Sequence, residues 1–282
     1  MSPEGGPGVD LHTHSLRSDG ALEPAHLVER AAAAGIGLLA LTDHDTTAGL
    51  EEARTAADRA RVRLVPGVEI SATWRFQAIH ILGLWIDPAC AELRALLARQ
   101  ADRRRERMRT ICGLLTRLGM PGDALLADVE GHTGVPTRSH LAAALVARGF
   151  VRRSEDAFRK YLGRGKAAHA AADWPSIHEV VAAIRGAGGV ASLAHPVRYT
   201  LSSGARSQLV ADFAAAGGNA LEVVTGANGA QHAAACAMLA TRFGLEGSLG
   251  SDFHDPQLTW NPLGRLAKLP DGIEPVWRQR NS

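Results

Sequence analysis

The chain has 282 residues, of which 46% are hydrophobic and 21% charged, and its formal net charge of +2 is too small to advertise a nucleic-acid binder, though it leaves room for a local basic excess around an anionic substrate. Its three cysteines, Cys90, Cys112 and Cys236, lack paired spacing, which argues against a disulfide framework and a zinc–thiolate site. No basic leader with an apolar stretch opens the chain and no run reaches the length of a membrane span, so the expected compartment is cytoplasmic, with no membrane association and no obligate protein partner.

Short β-branched runs alternate with alanine-rich helical stretches. In chain order the pattern predicts a strand over 9–14, a helix over 24–34, a strand over 38–43, a helix over 46–60, and strands over 62–69 and 79–85. After a long helical region come a helix over 176–187, a strand over 190–195, a helix over 207–216, a strand over 220–225, a helix over 230–243 and a strand over 246–252. Pro24 and Pro175 sit near helix starts, and Gly35, Gly188 and Gly217 follow helix ends. Strands joined by helix-length connections imply βαβ units and a mainly parallel sheet. The connection 71–78 is too short for a helical crossover, so the fourth strand is expected to run antiparallel to the third.

Between about 87 and 173 the signals are helical only, over 91–118, 139–148 and 154–162. We read 88–172 as a helical insertion that divides an α/β domain made of 1–87 and 173–282; the alternative is that these are simply long helices of that domain.

The polar residues fall at strand ends. The first strand closes on His12 and His14, the second on Asp43 and His44, the third on Glu69, the fifth on His195, and the last on Asp252 with His254 just beyond. An antiparallel fourth strand brings His80 to the same end as Glu69, and Asp19 lies in the loop after His14. In parallel α/β sheets chemistry gathers at the carboxyl ends of the strands. Imidazole and carboxylate without thiolate suit Mn, Fe or Zn, and nine donors exceed what one ion needs. A single strand-end histidine is ordinarily a structural hydrogen-bonder; it is the convergence of all nine that argues for metal. His26, His132, His169, His178 and His232 have no motif around them and are read as surface or packing residues.

The segments DLHTHSLRSDG (10–20), LTDHDT (41–46), PGVEIS (66–71), HILG (80–83), LAHP (193–196) and GSDFH (250–254), in this order, resemble the PHP family of phosphoesterases, named for polymerase and histidinol phosphatase domains. The resemblance implies a distorted (β/α)7 barrel. It assigns His12, His14, Glu69 and Asp252 to one ion, Glu69 with His80 and His195 to a second, and Asp19, His44 and His254 to a third, so two or three ions are expected. Asp43 and Asp45 are read as supports for those ligands rather than ligands themselves.

Within the insertion, PTRSHLAAALV (136–146) and YLGRGKAA (161–168) resemble the branch of the family that acts on nucleotides. That branch removes the 3′-phosphate of nucleoside 3′,5′-bisphosphates or trims short RNA from its 5′ end. The resemblance places Arg138 and Lys166 over the metal mouth as grips for the non-reacting phosphate, with His140 one helical step from Arg138. The family's lysine is often followed by proline; here Ala167 follows. The run RRRERMR (103–109) is read as an exposed helix face, with tracking of an RNA backbone as the alternative.

The implied chemistry is in-line hydrolysis of a phosphate ester by an ion-bridging water or hydroxide, with no covalent phosphoenzyme because no Ser or Cys sits in a nucleophile motif. The leaving oxygen's proton comes from metal-bound water, or from Asp19 or His254 where the third position is empty. Two other readings stand beside this one: a histidinol-phosphate or other small-molecule phosphatase, and a non-catalytic metal-binding module.

Overall fold

The computed structural model describes residues 8–226, 229–258 and 261–280. In chain order it holds β1 (Gly8–Asp10), α1 (Pro24–Ala33), β2 (Ile36–Leu41), α2 (Leu50–Ala60), β3 (Arg63–Trp74) and β4 (Gln77–Leu84). Next come α3 (Ala91–Arg117), α4 (Gly122–Glu130), α5 (Arg138–Ala147), α6 (Ser154–Ala157) and a π-helical turn, Phe158–Leu162. The chain continues through α7 (Ile177–Gly186), β5 (Val190–Leu193), α8 (Ser203–Ala215), β6 (Ala220–Thr225), α9 (Ala230–Phe243) and β7 (Glu246–Gly250).

The seven strands lie side by side in sequence order. All neighbours pair in parallel except β4, which is antiparallel to both β3 and β5, as the short third connection requires. The two edges meet: Leu11 donates its N–H to Leu249 at 3.0 Å, Asp252 donates to His12 at 2.8 Å, and Thr13 bridges Phe253. The result is a nearly closed, distorted (β/α)7 barrel.

Strand β2 shows how the sequence builds it. Leu39 and Leu41 point outward onto Leu27, Val28 and Ala31 of α1 and Ala53 and Ala57 of α2. Leu38 and Ala40, on the alternate face, fill the barrel interior with Leu11, Val65, Leu82 and Leu84. A strand buried on both faces reads as an unbroken apolar run, which IGLLAL is. The helices stop where glycine permits it: Gly35 (φ 82°) and Gly188 (φ 70°) adopt the left-handed conformation after α1 and α7. Ser176 and Glu179 cap the start of α7 reciprocally.

Several boundaries differ from expectation. Strand β3 runs on past Glu69 to Trp74, because 71–78 forms the arms of a hairpin rather than a loop. Strands β1, β5 and β7 end two to four residues before the expected positions, so His12, His14, His195 and Asp252 sit just beyond the ladder. Helix α2 begins at Leu50 rather than 46 and α8 at Ser203 rather than 207, and α4 was absent from the expected set.

Between β4 and β5 the chain is helical. Helix α3 serves two cores: Leu93, Leu96 and Leu97 pack into the barrel's outer layer, whereas Met108, Ile111, Cys112 and Leu115 join Leu125, Leu141, Leu145 and Leu162 in a separate cluster. That arrangement hangs the helices over the carboxyl-terminal mouth of the barrel. No helix among the described residues is long and apolar enough to cross a membrane.

Candidate metal centre

The extension of β1 carries the first two donors. Thr13 turns away from the mouth and is tied down, its hydroxyl donating to Ala40 O at 2.7 Å and its N–H to Thr42 Oγ1 at 3.2 Å. His12 and His14, on the opposite side of the same extended stretch, both face the mouth. Gly250 lets β7 close against them: a Cβ there would lie 2.2 Å from His12 Cβ and 2.8 Å from a Glu222 carboxylate oxygen. The chain then bends sharply at His195 (φ 31°) and Asp252 (φ 53°), a left-handed geometry that costs a non-glycine residue on the order of 1–3 kcal/mol and concentrates at functional sites. Asp43 accepts from Ser15 N–H at 2.8 Å, Ser15 Oγ at 2.6 Å and Ser18 Oγ at 2.7 Å, which fixes the loop that presents Asp19.

The donors fall into three overlapping groups. In the first, Nε2 of His12 and Nε2 of His14 stand 3.1 Å apart, and each is 3.2–3.3 Å from Glu69 Oε2 and Asp252 Oδ1. Four lone-pair donors held about 2.0–2.2 Å from one ion stand roughly 3–3.5 Å from each other, so these edges fit a shared cation. In the second group Glu69 Oε1 lies 2.8 Å from His80 Nδ1, and Glu69 Oε2 lies 2.9 Å from His44 Nδ1. His195 Nε2 reaches the same Oε1 at 2.9 Å. In the third, His44 Nε2 and His254 Nε2 lie 3.7 and 3.4 Å from Asp19 Oδ1, with His14 alongside. Glu69 thus faces two groups, and His44 two as well.

Burial and orphaned atoms test the fit. His12, His14 and Glu69 are wholly inaccessible and Asp252 nearly so. Glu69 Oε2, His44 Nδ1 and Asp19 Oδ1 are buried, and their close approaches to one another and to His254 lack hydrogen-bond geometry, which is costly for polar atoms unless a cation satisfies them. Burial opposes charge on Glu69, but His80, His44 and His12 outweigh it and hold its pKa well below the usual carboxylate range. Asp252 is lowered in the same way by His12 and His254. Conversely, Asp252 and Glu69 overcome burial and lift His14 to about 10. Burial prevails at His44 and depresses it to about 4, leaving a neutral imidazole with a free lone pair. This donor set is able to bind metal, and it contains no thiolate.

Behind the donors stands a support that sequence reasoning missed. Glu222, buried in β6, lies 3.0 Å from His12 Nδ1 through Oε1 and accepts the His195 N–H through Oε2 at 2.6 Å. It fixes Nδ1 of His12 as the protonated nitrogen and leaves Nε2 for an ion. The available signal was a lone carboxylate inside the apolar strand ALEVVT. Arg198 also pairs with Asp252 Oδ2.

On the outer side, Asp19, His44 and His80 line a cleft of about 100 Å³ with Arg104, Arg107, Arg138, Phe158 and Trp174. The exposed face expected for 103–109 is therefore only partly present. Arg104 is 7% exposed, and its guanidinium bonds Asp45 Oδ2 at 2.7 Å and Ser71 Oγ at 2.9 Å. Arg107 turns in to donate to Ala170 O at 2.9 Å, and its pKa is pulled down by burial and by Arg138 and Arg104. Burial, and then Arg104, also lower Arg138, so Arg107 and Arg138 stand in a cleft with excess positive charge. Lys166 is exposed and is not among the cleft-lining residues. His140 is buried, but Nδ1 accepts the Thr137 N–H at 3.1 Å and completes the cap of α5, while its ring stacks on His132. Its ring thus serves a helix start.

Comparisons with known proteins agree on one family. The PHP domain matches residues 10–162. The chain is 41% identical over 274 residues to a 5′-3′ exoribonuclease of Haemophilus influenzae, covering 96% of this chain and 98% of that one. It is 41% identical over 273 residues to a 3′,5′-nucleoside bisphosphate phosphatase of Chromobacterium violaceum, covering 96% and 95%. An amidohydrolase structure from Chromobacterium violaceum with bound sulfate superposes with a TM-score of 0.91 at 40% identity, covering 97% of this chain and 96% of that one.

Proposed function

The chain belongs to the PHP domain family of metal-dependent phosphoesterases, and from that premise we propose that it removes the 3′-phosphate of nucleoside 3′,5′-bisphosphates and trims short 5′-phosphorylated RNA. The observation that carries this reading is the cleft in which Arg104, Arg107 and Arg138 line the same space as Asp19, His44 and His80. A substrate with a single phosphate, such as histidinol phosphate, has no second anion for those arginines to hold.

In this reading His12, His14, Glu69 and Asp252 would hold one ion, Glu69, His80 and His195 a second, and Asp19, His44 and His254 a third, Mn being the metal proposed among the Mn, Fe and Zn that such donors accept. Divalent ions supply Lewis acidity and a nucleophile at neutral pH. The chain's own residues do the rest. Arg138 and Arg107 take the non-reacting 5′-phosphate, Arg138 being suited to a bidentate grip. Arg104, committed to Asp45, braces them. Lys166, exposed on the loop after Leu162, shares that grip in this reading. The helical segment 88–172 contributes all three arginines and with them the substrate's register. Glu222 orients His12, and where no third ion binds there His254 hands a proton to the leaving oxygen. Against burial and His14, the His254 pKa is lifted by Asp19, 3.4 Å away and held ionised by its histidine neighbours, together with Asp252. Three unpaired cysteines suit a cytoplasmic setting.

The deciding experiment is a phosphate-release screen with Mn²⁺ across adenosine 3′,5′-bisphosphate, AMP, short 5′-phosphorylated RNA, histidinol phosphate and an aryl phosphate. The bisphosphate and the RNA should turn over fastest. A preference for histidinol phosphate would overturn the nucleotide assignment, and silence on every substrate would favour a non-catalytic module.

A further inference from the structure

The β3–β4 hairpin turns through only two residues, Arg75 and Phe76, between the paired Trp74 and Gln77. Such tight turns normally take glycine, asparagine or aspartate where the backbone is left-handed. Here that position, φ 53°, is held by Arg75. The next residue, Phe76, is 94% exposed, the most exposed large apolar side chain among the described residues. A tip that breaks two local rules at once, with no packing gained in return, is where function is to be sought.

The tip adjoins the cleft. Ser71, Ala78 and His80, on the arms of the same hairpin, line it. Gln77 Oε1 accepts a hydrogen bond from Arg164 Nη1 at 2.7 Å, tying the tip to the helical segment. Burial, and then Arg107, Arg138 and Arg164, depress His169, which lies near the cleft cations and near the arginine bonded to Gln77. Arg75 lies with its guanidinium 4.5 Å from the Trp74 ring centroid. An exposed aromatic flanked by cations, continuous with a phosphate-binding cleft, is the combination that binds single-stranded nucleic acid. The ring stacks on a base of any identity and the cations follow the backbone.

We propose that Phe76, flanked by Arg75 and Arg164, is a stacking platform for a base of single-stranded RNA beyond the nucleotide held in the cleft. It rests on the nucleotide reading above and adds to it a reason to favour an oligonucleotide over a mononucleotide. Because Phe76 is exposed and makes no core contact, its replacement leaves the fold and the cleft in place.

The test is binding of a labelled 5′-phosphorylated oligoadenylate in EDTA, read by fluorescence anisotropy, alongside an abasic oligonucleotide of equal length. Phe76→Ala should weaken the oligoadenylate about tenfold, Phe76→Trp should bind it as the parent does, and the abasic strand should be bound equally by all three. With Mn²⁺, Phe76→Ala should raise KM for the RNA and leave that for adenosine 3′,5′-bisphosphate unchanged. Oligoadenylate binding unaffected by Phe76→Ala, or an equal loss on the abasic strand, overturns the platform while the nucleotide reading stands. A parent protein that neither binds RNA nor cleaves the bisphosphate removes the nucleotide reading itself, and the platform with it.

Discussion

Nδ1 of His12 stands 3.0 Å from Oε1 of Glu222, a carboxylate buried in β6 and 210 positions away in the chain. The pair fixes which imidazole nitrogen of His12 faces Glu69 and Asp252, and the other oxygen of Glu222 holds the backbone at His195. One residue outside the donor groups thus positions two of the donors.

Glu222→Gln should therefore weaken metal binding by roughly 10–100-fold while the fold persists, because an amide can turn its NH₂ toward Nδ1 and reverse the tautomer. Metal content after dialysis and a circular dichroism melt check this. Full retention of metal by the variant would contradict the role.

His12→Ala removes a donor from the most buried group outright. Metal content and activity should both collapse, since Glu69, His14 and Asp252 are left with a gap where the fourth lone pair stood. Elemental analysis of the purified variant decides it.

The pH dependence of metal uptake has a defined sign. His14 is lifted to about 10, with burial opposed and outweighed by Asp252 and Glu69, so without metal it carries a proton at neutral pH. An ion takes the lone pair that the proton holds. Loading at pH 7 should thus release protons, and apparent affinity should rise with pH until about 10. Calorimetry in two buffers of different ionisation enthalpy measures the proton count. Binding that tightened as pH fell would be incompatible with this balance.

Arg104 and Arg138 should separate stability from substrate binding. Arg104→Ala strands Asp45, which is inaccessible and otherwise held by the Ser71 N–H at 2.8 Å and Gln100 Nε2 at 3.1 Å. Breaking a buried pair on one side costs about 3–5 kcal/mol, so the melting temperature should fall on the order of 10 °C. Arg138→Ala, at the start of α5 and facing the cleft, should instead raise KM for the bisphosphate about tenfold or more, with little effect on an aryl phosphate. Equal losses on both substrates would sink its assignment to the non-reacting phosphate.

Gly250→Ala forces a methyl group into contact with the Cβ of His12 and the Glu222 carboxylate. Backbone and buried side chains must move to admit it, so both stability and metal retention should drop. A variant that melts and binds metal like the parent would show the closure of β1 against β7 to be looser than its geometry.

By itself the sequence determined the residue types of the site and their places along the chain. His12, His14, Glu69, His195 and Asp252 stand at or just beyond apolar runs, and strand periodicity with short connections is a local property that a single pass can read. The antiparallel β4, and with it His80 beside Glu69, followed from a connection too short to cross over. Tertiary structure decided what distance along the chain hides. Glu222 looked like one acidic residue in an apolar strand until closure of the barrel set it behind His12. Arg104 was indistinguishable from Arg103 and Arg105 until the phase of α3 turned it alone onto Asp45. His140 shares a helix start with Arg138, yet the cap geometry of α5 commits its Nδ1 to the backbone of Thr137. In each case the side chain's chemistry was legible, but the direction it faced depended on packing between elements far apart in sequence.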